Sequence, residues 1–178
     1  MKDLIPLHGL IIESIDPLHP DATFILHEAA REMREIYAEF INATSPLPVN
    51  QPAIPRSPYL IARLEGKPVG SIAIRPLDAD TAEICRLYVL LEFRQHGIAR
   101  TLLNKIEKVA VDLGYSALRL ETGNRQHGAI KLYQSYGYKP ISTFGEYKFD
   151  PTSVCFEKIL RGLGYLIIEG ASWLCTQE

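Results

Sequence analysis

Cysteine is scarce in this chain. Only Cys85, Cys155 and Cys175 occur among 178 residues, odd in number and far apart. That usage excludes a disulfide framework and a zinc knuckle, and it is what a reducing, cytoplasmic compartment leads one to expect. Neither sign of charge dominates: 19 Lys and Arg against 21 Asp and Glu leave a formal net charge of -2. Broad electrostatic binding of nucleic acid needs a strongly basic surface, so no nucleic-acid partner is expected. No apolar run approaches the length of a membrane span, and Met1-Lys-Asp-Leu-Ile-Pro6 lacks the apolar stretch of a signal peptide, so no membrane partner is expected either. His8, His19, His27, His96 and His127 are scattered, and none stands at a metal-ligand spacing from a cysteine or carboxylate. No metal is expected. Gly-x-Gly-x-x-Gly and Walker patterns are missing, and the middle of the chain does not alternate strand with helix. A doubly wound nucleotide-binding domain therefore fits poorly.

What remains is enough for one domain with a sizeable core and too little for two. Leu10 to Glu13 reads as a first strand. Pro20-Asp21 opens a helix with apolar positions at Leu26, Ala29, Ala30, Met33, Ile36, Tyr37 and Phe40. Prolines at 46, 48, 52, 55 and 58 forbid helix or central strand from Ser45 to Pro58, because each removes a donor and constrains its neighbour. Inside so small a domain, that stretch is expected to flank a binding cleft. A β-meander follows: Tyr59–Leu64, a turn at Glu65-Gly-Lys-Pro68, Val69–Arg75, a turn at Asp78-Ala-Asp80, then Ala82–Val89. A helix from Ile98 ends at Gly114. Ala117–Thr122 reads as a strand, Gly128–Tyr136 as a short helix closed by Gly137, and Ser153–Ile159 as a last strand. The domain is expected to span residues 1–160. The remainder, 161–178, carries Tyr165-Leu-Ile-Ile168 and Trp173-Leu174, apolar material that must pack on the domain or on a partner subunit, as monomer or homodimer.

The most informative stretch is Arg94-Gln95-His96-Gly97-Ile98-Ala99, a glycine-punctuated basic loop between a strand and an amphipathic helix. Apolar residues at Ile98, Leu102, Ile106, Val109 and Leu113 mark one face of that helix. A helix start exposes unpaired N–H groups and a partial positive charge, so it can hold phosphate oxygens. Gly97 and Ala99 allow close approach, and Arg94 and Arg100 supply cations.

Together, Arg86-Leu-Tyr-Val89, Arg94, Gly97, Ala99, Leu118-Arg-Leu-Glu-Thr-Gly-Asn124, Ala129-Ile-Lys-Leu-Tyr133 and Tyr136-Gly-Tyr138 resemble the GNAT superfamily of N-acetyltransferases. The resemblance covers residues 59–160 well and the first third in element order only. Ala99 departs from it, standing where the family often has a second glycine. It implies an α/β (α+β) fold: a mixed, mostly antiparallel sheet of six to seven strands flanked by helices, with the fourth and fifth strands splayed. It implies acetyl-coenzyme A as cosubstrate. The pantetheine arm would pair with the fourth strand at Leu87, Tyr88 and Val89. The pyrophosphate would meet the backbone of Arg94, Gln95, His96, Gly97, Ile98, Ala99 and Arg100, with Asn124 and Lys131 completing the cofactor set. For Asn124, a helix N-cap is the competing role.

Tyr133 would lie near the thioester sulfur, although Ala129, Leu132, Tyr133 and Tyr136 also follow the spacing of a packed helix face. A phenol near pKa 10 giving its proton to a thiolate near 8.5 is uphill by about 2 kcal/mol. Its expected part is a hydrogen bond to the departing sulfur or a late proton transfer. The base is expected to be Glu83 on the fourth strand, with Glu121 on the fifth as competitor. Either carboxylate needs burial or a water relay to serve. Period-two alternation puts Arg86 on one face with Tyr88, as a substrate contact for a carboxylate or as a structural ion pair. The activity implied is acetyl transfer to a primary amine of a small molecule, directly within a ternary complex. A protein N-terminus as acceptor, or a non-catalytic acyl-coenzyme A sensor on the same fold, are the alternatives.

Overall fold

The computed structural model describes residues 8–42 and 44–160. The apolar stretch 161–178 lies outside them. Seven strands form a single sheet in the order β1-β2-β3-β4-β5-β7-β6: β1 Leu10–Ile15, β2 Tyr59–Leu64, β3 Lys67–Pro76, β4 Thr81–Val89, β5 Ala117–Gly123, β6 Lys139–Ile141 and β7 Ser153–Ile159. All neighbours are antiparallel except β4 and β5. Three helices flank the sheet, α1 Pro20–Ile36, α2 Ile98–Asp112 and α3 His127–Ser135.

The alternation of side chains divides the core. On one face α2 buries Ile98, Leu102, Leu103, Ile106 and Ala110 against Leu60, Ala62, Ile72, Ile74, Ala82 and Ile84. Each fully buried Leu or Ile contributes roughly 1.5–3 kcal/mol. On the other face α1 sets Ala22 against Tyr59 and Ala73, and Ile25 against Ile61 and Leu90. Pro20 at the first turn and the His19 ring, which accepts from the Asp21 N–H at 3.1 Å, start α1. The helix stops at Ile36, earlier than its apolar pattern predicts, so Phe40 is exposed beyond its end. The pattern also does not reveal β6. Its three residues include Pro140, which cannot donate, and it survives as an edge strand paired only with β7.

Two irregularities shape the middle of the sheet. The parallel ladder runs only from Thr81–Ala117 to Ile84–Leu120, and beyond it β4 and β5 part. On the other side of β4, Ser71 pairs with Tyr88 but Ala73 with Cys85, so one extra residue bulges out of β4. Arg86 takes up the bulge with φ of 59°, and its carbonyl accepts from Ser71 Oγ at 2.8 Å. The bulge breaks the alternation that was to place Arg86 and Tyr88 on a common face, opposite Cys85 and Leu87.

Gly70 makes the bulge sterically feasible, because a Cβ there would stand 2.7 Å from the Tyr88 carbonyl oxygen and 3.2 Å from Val89. Gly70→Ala should lower unfolding free energy by about 1–3 kcal/mol in urea titration. Gly128→Ala, where the added methyl meets nothing within 4 Å, should be neutral or stabilising by up to about 1 kcal/mol. Equal losses at both positions would remove the steric account of the bulge.

Candidate active site

The parting of β4 from β5 opens a cleft of about 1080 Å³, walled by both strands, the start of α2, α3 and the inner face of α1. Beyond Ile84, the β5-facing edge of β4 has no ladder partner, so its backbone groups are available to an extended ligand. At the end of that edge the chain turns through two left-handed residues, Gln95 at φ 69° and Gly97 at φ 86°. Gly97 is the N-cap of α2 and offers no side chain to the first-turn amides, and no acidic residue stands in that turn. An uncapped, acid-free helix start at the foot of an open strand edge is the arrangement that accepts an anion on a long ligand.

The structure gathers most of the sequence-predicted residues here. Arg86, Leu87, Tyr88, Val89, Arg94, Gln95, Gly97, Ile98, Ala99, Arg100, Glu121, Lys131 and Tyr133 all line the cleft. Glu83, His96 and Asn124 do not. The Asn124 backbone N–H donates to Thr152 O at 2.7 Å, and its side chain approaches Pro151 O at 3.5 Å, so it ties the end of β5 to the loop before β7. Nor is it the N-cap of α3, which is Gln126.

Arg94 does not present a free guanidinium to a phosphate. Its Nη atoms hold Glu32 of α1 at 2.8 and 2.5 Å, its Nε donates to Val89 O at 2.8 Å, and it lies over the Tyr88 ring at 5.1 Å. The hydrogen bonds from Arg94 hold the Glu32 carboxyl below its ordinary pKa. Glu32 carries no motif in the sequence. Only the helical spacing of α1, which turns Glu32 to the same wall as Ala29 and Met33, could have pointed to it. Arg100 and Lys131, by contrast, stand in none of the ion pairs among the described residues.

The two candidate bases are in opposite circumstances. Glu83 is buried on β4 outside the cleft lining, and both its oxygens are engaged, by Arg75 Nε at 2.9 Å and by the Tyr147 hydroxyl at 2.7 Å. Glu146 accepts from the same arginine at 2.7 Å, completing a closed clamp under the loop before β7. Glu121 faces the cleft, accepts from Ser153 Oγ at 2.6 Å, and has no cationic partner among the described residues. Burial raises its pKa, the Ser153 hydrogen bond works against that, and the negative charges of Asp150, Glu83 and Glu146 add to it. Tyr133 is buried edge-on to Tyr138, with ring centroids 5.7 Å apart, and burial pushes its phenol far above the ordinary value. It therefore keeps its proton at neutral pH, as a donor.

Residues 24–138 match the Acetyltransferase (GNAT) family. The chain is 34% identical over 145 residues to an IAA acetyltransferase of Azospirillum brasilense, covering 81% of this chain and 94% of that protein. It is 38% identical over 86 residues to human N-acetyltransferase 8, covering 46% of this chain and 38% of that longer protein. Among solved structures, a candidate acyl-CoA N-acyltransferase from Klebsiella pneumoniae superposes with TM-score 0.68 at 32% identity, over 85% of this chain and 98% of that one. An acetyltransferase of Elizabethkingia anophelis with acetyl-CoA bound shares the fold, with TM-score 0.61 at 20% identity, over 85% and 99% of the two chains. Among the described residues no helix is long and apolar enough to cross a membrane, and no His, Cys, Asp or Glu group could hold a metal ion.

The raised pKa of Glu121 has a signed consequence for stability. Between the ordinary carboxylate value near 4.5 and the higher folded value, the native state binds more protons than the unfolded chain. Stability therefore falls as pH rises through that window. Glu121→Gln should stabilise the protein at pH 7, with the advantage shrinking toward pH 4.5 in urea titrations. A constant difference across that range would mean that Glu121 is not desolvated.

Proposed function

The chain belongs to the GNAT acetyltransferase family, and we propose that it moves an acetyl group from acetyl-coenzyme A to a primary amine of a small molecule, directly within a ternary complex. One observation carries this reading. The open edge of β4, the uncapped start of α2, Glu121 and Tyr133 all face one cleft. The amides of residues 97–100 would hold the pyrophosphate, with Arg100 and Lys131 adding positive charge at that end. The β4 edge at Leu87–Val89 would take the pantetheine amides. Acetyl-coenzyme A supplies an activated acyl carbon, and the remaining chemistry falls to the protein's own groups.

An alkyl ammonium must lose a proton before its nitrogen can attack. Of the two glutamates lining the cleft, Glu32 is held by Arg94, whereas Glu121 stands in no ion pair among the described residues and its raised pKa brings it closer to that task. Glu83, favoured from the sequence, is committed to Arg75 and Tyr147. Tyr133, protonated and within the apolar wall, would donate a hydrogen bond to the sulfur as negative charge grows there. With its phenol pKa raised by burial, full proton transfer to a thiolate is more uphill than for a free tyrosine. A small acceptor is supported by the likeness to an IAA acetyltransferase, and beside the cleft α1 and residues 45–48 line a shallow, mostly apolar annex of about 320 Å³.

Release of free thiol from acetyl-coenzyme A across an amine panel tests the reading, with cofactor binding followed separately by calorimetry. Tyr133→Phe should lower kcat by about tenfold or more, equivalent to at least about 1.4 kcal/mol of transition-state stabilisation. Glu121→Gln should lower it by about 100-fold and remove the acidic limb of the pH–rate profile. Failure to bind coenzyme A would end the acetyl-transfer reading. Binding with no thiol release from any amine would favour the sensor.

A further inference from the structure

Two charges on the acceptor side of the cleft have no ion-pair partner among the described residues. Arg86 and Glu121 stand in none of the ion pairs among the described residues. They sit on the two strands that part, Arg86 on β4 and Glu121 on β5, and both line the gap. A half-buried carboxylate and a guanidinium left unpaired each carry a desolvation cost that a ligand can relieve. A ligand bearing an ammonium and a carboxylate relieves both.

Three further observations fix which end of that ligand goes where. Asn50, buried and anchored through Nδ2 to Pro17 O at 2.9 Å, accepts from Arg86 Nε at 3.1 Å. That hydrogen bond holds the guanidinium and leaves its two Nη groups for a planar anion. Tyr59 is 3% exposed and lines the same cleft, and its buried hydroxyl makes no hydrogen bond of full geometry, with the Ser71 and Asn50 side chains near it. A buried donor without a well-formed hydrogen bond is costly and invites an acceptor from a ligand. Burial raises the Tyr59 phenol pKa, and the Ser71 side chain, the charge of Arg86 and the Asn50 side chain work against that rise, which puts Tyr59, Arg86 and Asn50 in one neighbourhood. Arg86 also lines the apolar annex, which it shares with Leu26, Ala29 and Met33 of α1 under Pro46 and Pro48.

We propose that the acceptor is a free α-amino acid with an apolar side chain. Its carboxylate rests on the Arg86 Nη groups and the Tyr59 hydroxyl, its ammonium faces Glu121, and its side chain enters the annex. This assignment rests on the acetyl-transfer reading above. In the reaction the ammonium first gives one proton to Glu121, the neutral nitrogen then bonds to the acetyl carbon as the carbon–sulfur bond breaks, and the second proton lost from that nitrogen ends on the departing thiolate, so that coenzyme A leaves as the thiol.

The test compares matched acceptors on the full chain: phenylalanine with phenethylamine, and methionine with 3-(methylthio)propylamine, by thiol release. Each amino acid should exceed its decarboxylated partner in kcat/KM by about 30-fold or more. Arg86→Gln and Tyr59→Phe should each shrink that ratio, chiefly through the KM of the amino acid, with Arg86→Lys intermediate and coenzyme A affinity unchanged. Tyr59→Phe removes a single oxygen and keeps the test open if Arg86→Gln fails to fold. Amines that match or exceed their amino acids overturn the proposal and leave acetyl transfer standing. So does coenzyme A binding with no turnover of either amino acid. Absence of coenzyme A binding overturns the acetyl-transfer reading itself, and the acceptor assignment falls with it.

Discussion

A parallel strand pair that stops after four residues governs the rest of this molecule. Had β4 and β5 remained paired beyond Ile84 and Leu120, the space between them would be sheet. What keeps them apart is local. The bulge at Arg86 re-aims the end of β4, and Gly70 on the adjoining strand gives it room. Arg94 then takes the last carbonyl of β4, Val89 O, while its guanidinium fork grips Glu32 of α1. The strand end is thus fastened to a helix on one face of the sheet rather than to its neighbour. An open edge is ordinarily an aggregation hazard. Here it lies inside a cleft, shielded by α1 and α3.

The Glu32–Arg94 pair deserves its weight in this arrangement because it is partly buried and bidentate. Removing one partner of such a pair costs more than the pair contributes over a neutral substitute, since a charge is left behind. The pair also engages a cation that would otherwise stand free where the cleft meets the start of α2. Arg100, Lys131 and the bare amides of α2 remain there. Backbone amides in a rigid turn need no side-chain ordering to meet a phosphate, so losing Arg94 from that set weakens it less than a charge count suggests.

Long elements with strong periodicity were legible from the residues alone. The α2 stripe at Ile98, Leu102 and Ile106 and the meander from Tyr59 to Val89 appear where the pattern puts them, and so does the splay of β4 from β5 that the family resemblance implied. The loop at 94–100 is found at the start of α2, where glycine conformation and a missing cap can be read from sequence. Three things could not be read. The bulge at Arg86 has no proline or glycine to announce it on β4. Its signal is Gly70, across the sheet, and only the register reveals the connection. The bases were ranked by strand position, but burial and partners decide which carboxylate is available. Glu83 is occupied by Arg75, eight residues away, and by Tyr147, 64 residues away. The third is Asn50, which sits in a proline-rich segment where polarity looks like solvation. Such long-range pairings leave no periodicity in the chain.

The distribution of charge then becomes intelligible as a division of labour within one cleft. At the α2 and α3 end the unpaired groups are cationic, and the helix dipole has the same sign. Midway, Tyr133 supplies a neutral donor in apolar surroundings, where a full charge would raise the cost of the folded state. Arg86 on β4 and Glu121 on β5 both line the cleft between the diverging strands, each bonded to a neutral neighbour, Asn50 for Arg86 and Ser153 for Glu121. Had Arg86 and Glu121 been paired with each other, the carboxylate would have been held low in pKa and lost as a base. Unpaired, Glu121 keeps the raised pKa that burial gives it, at the place where β4 and β5 part.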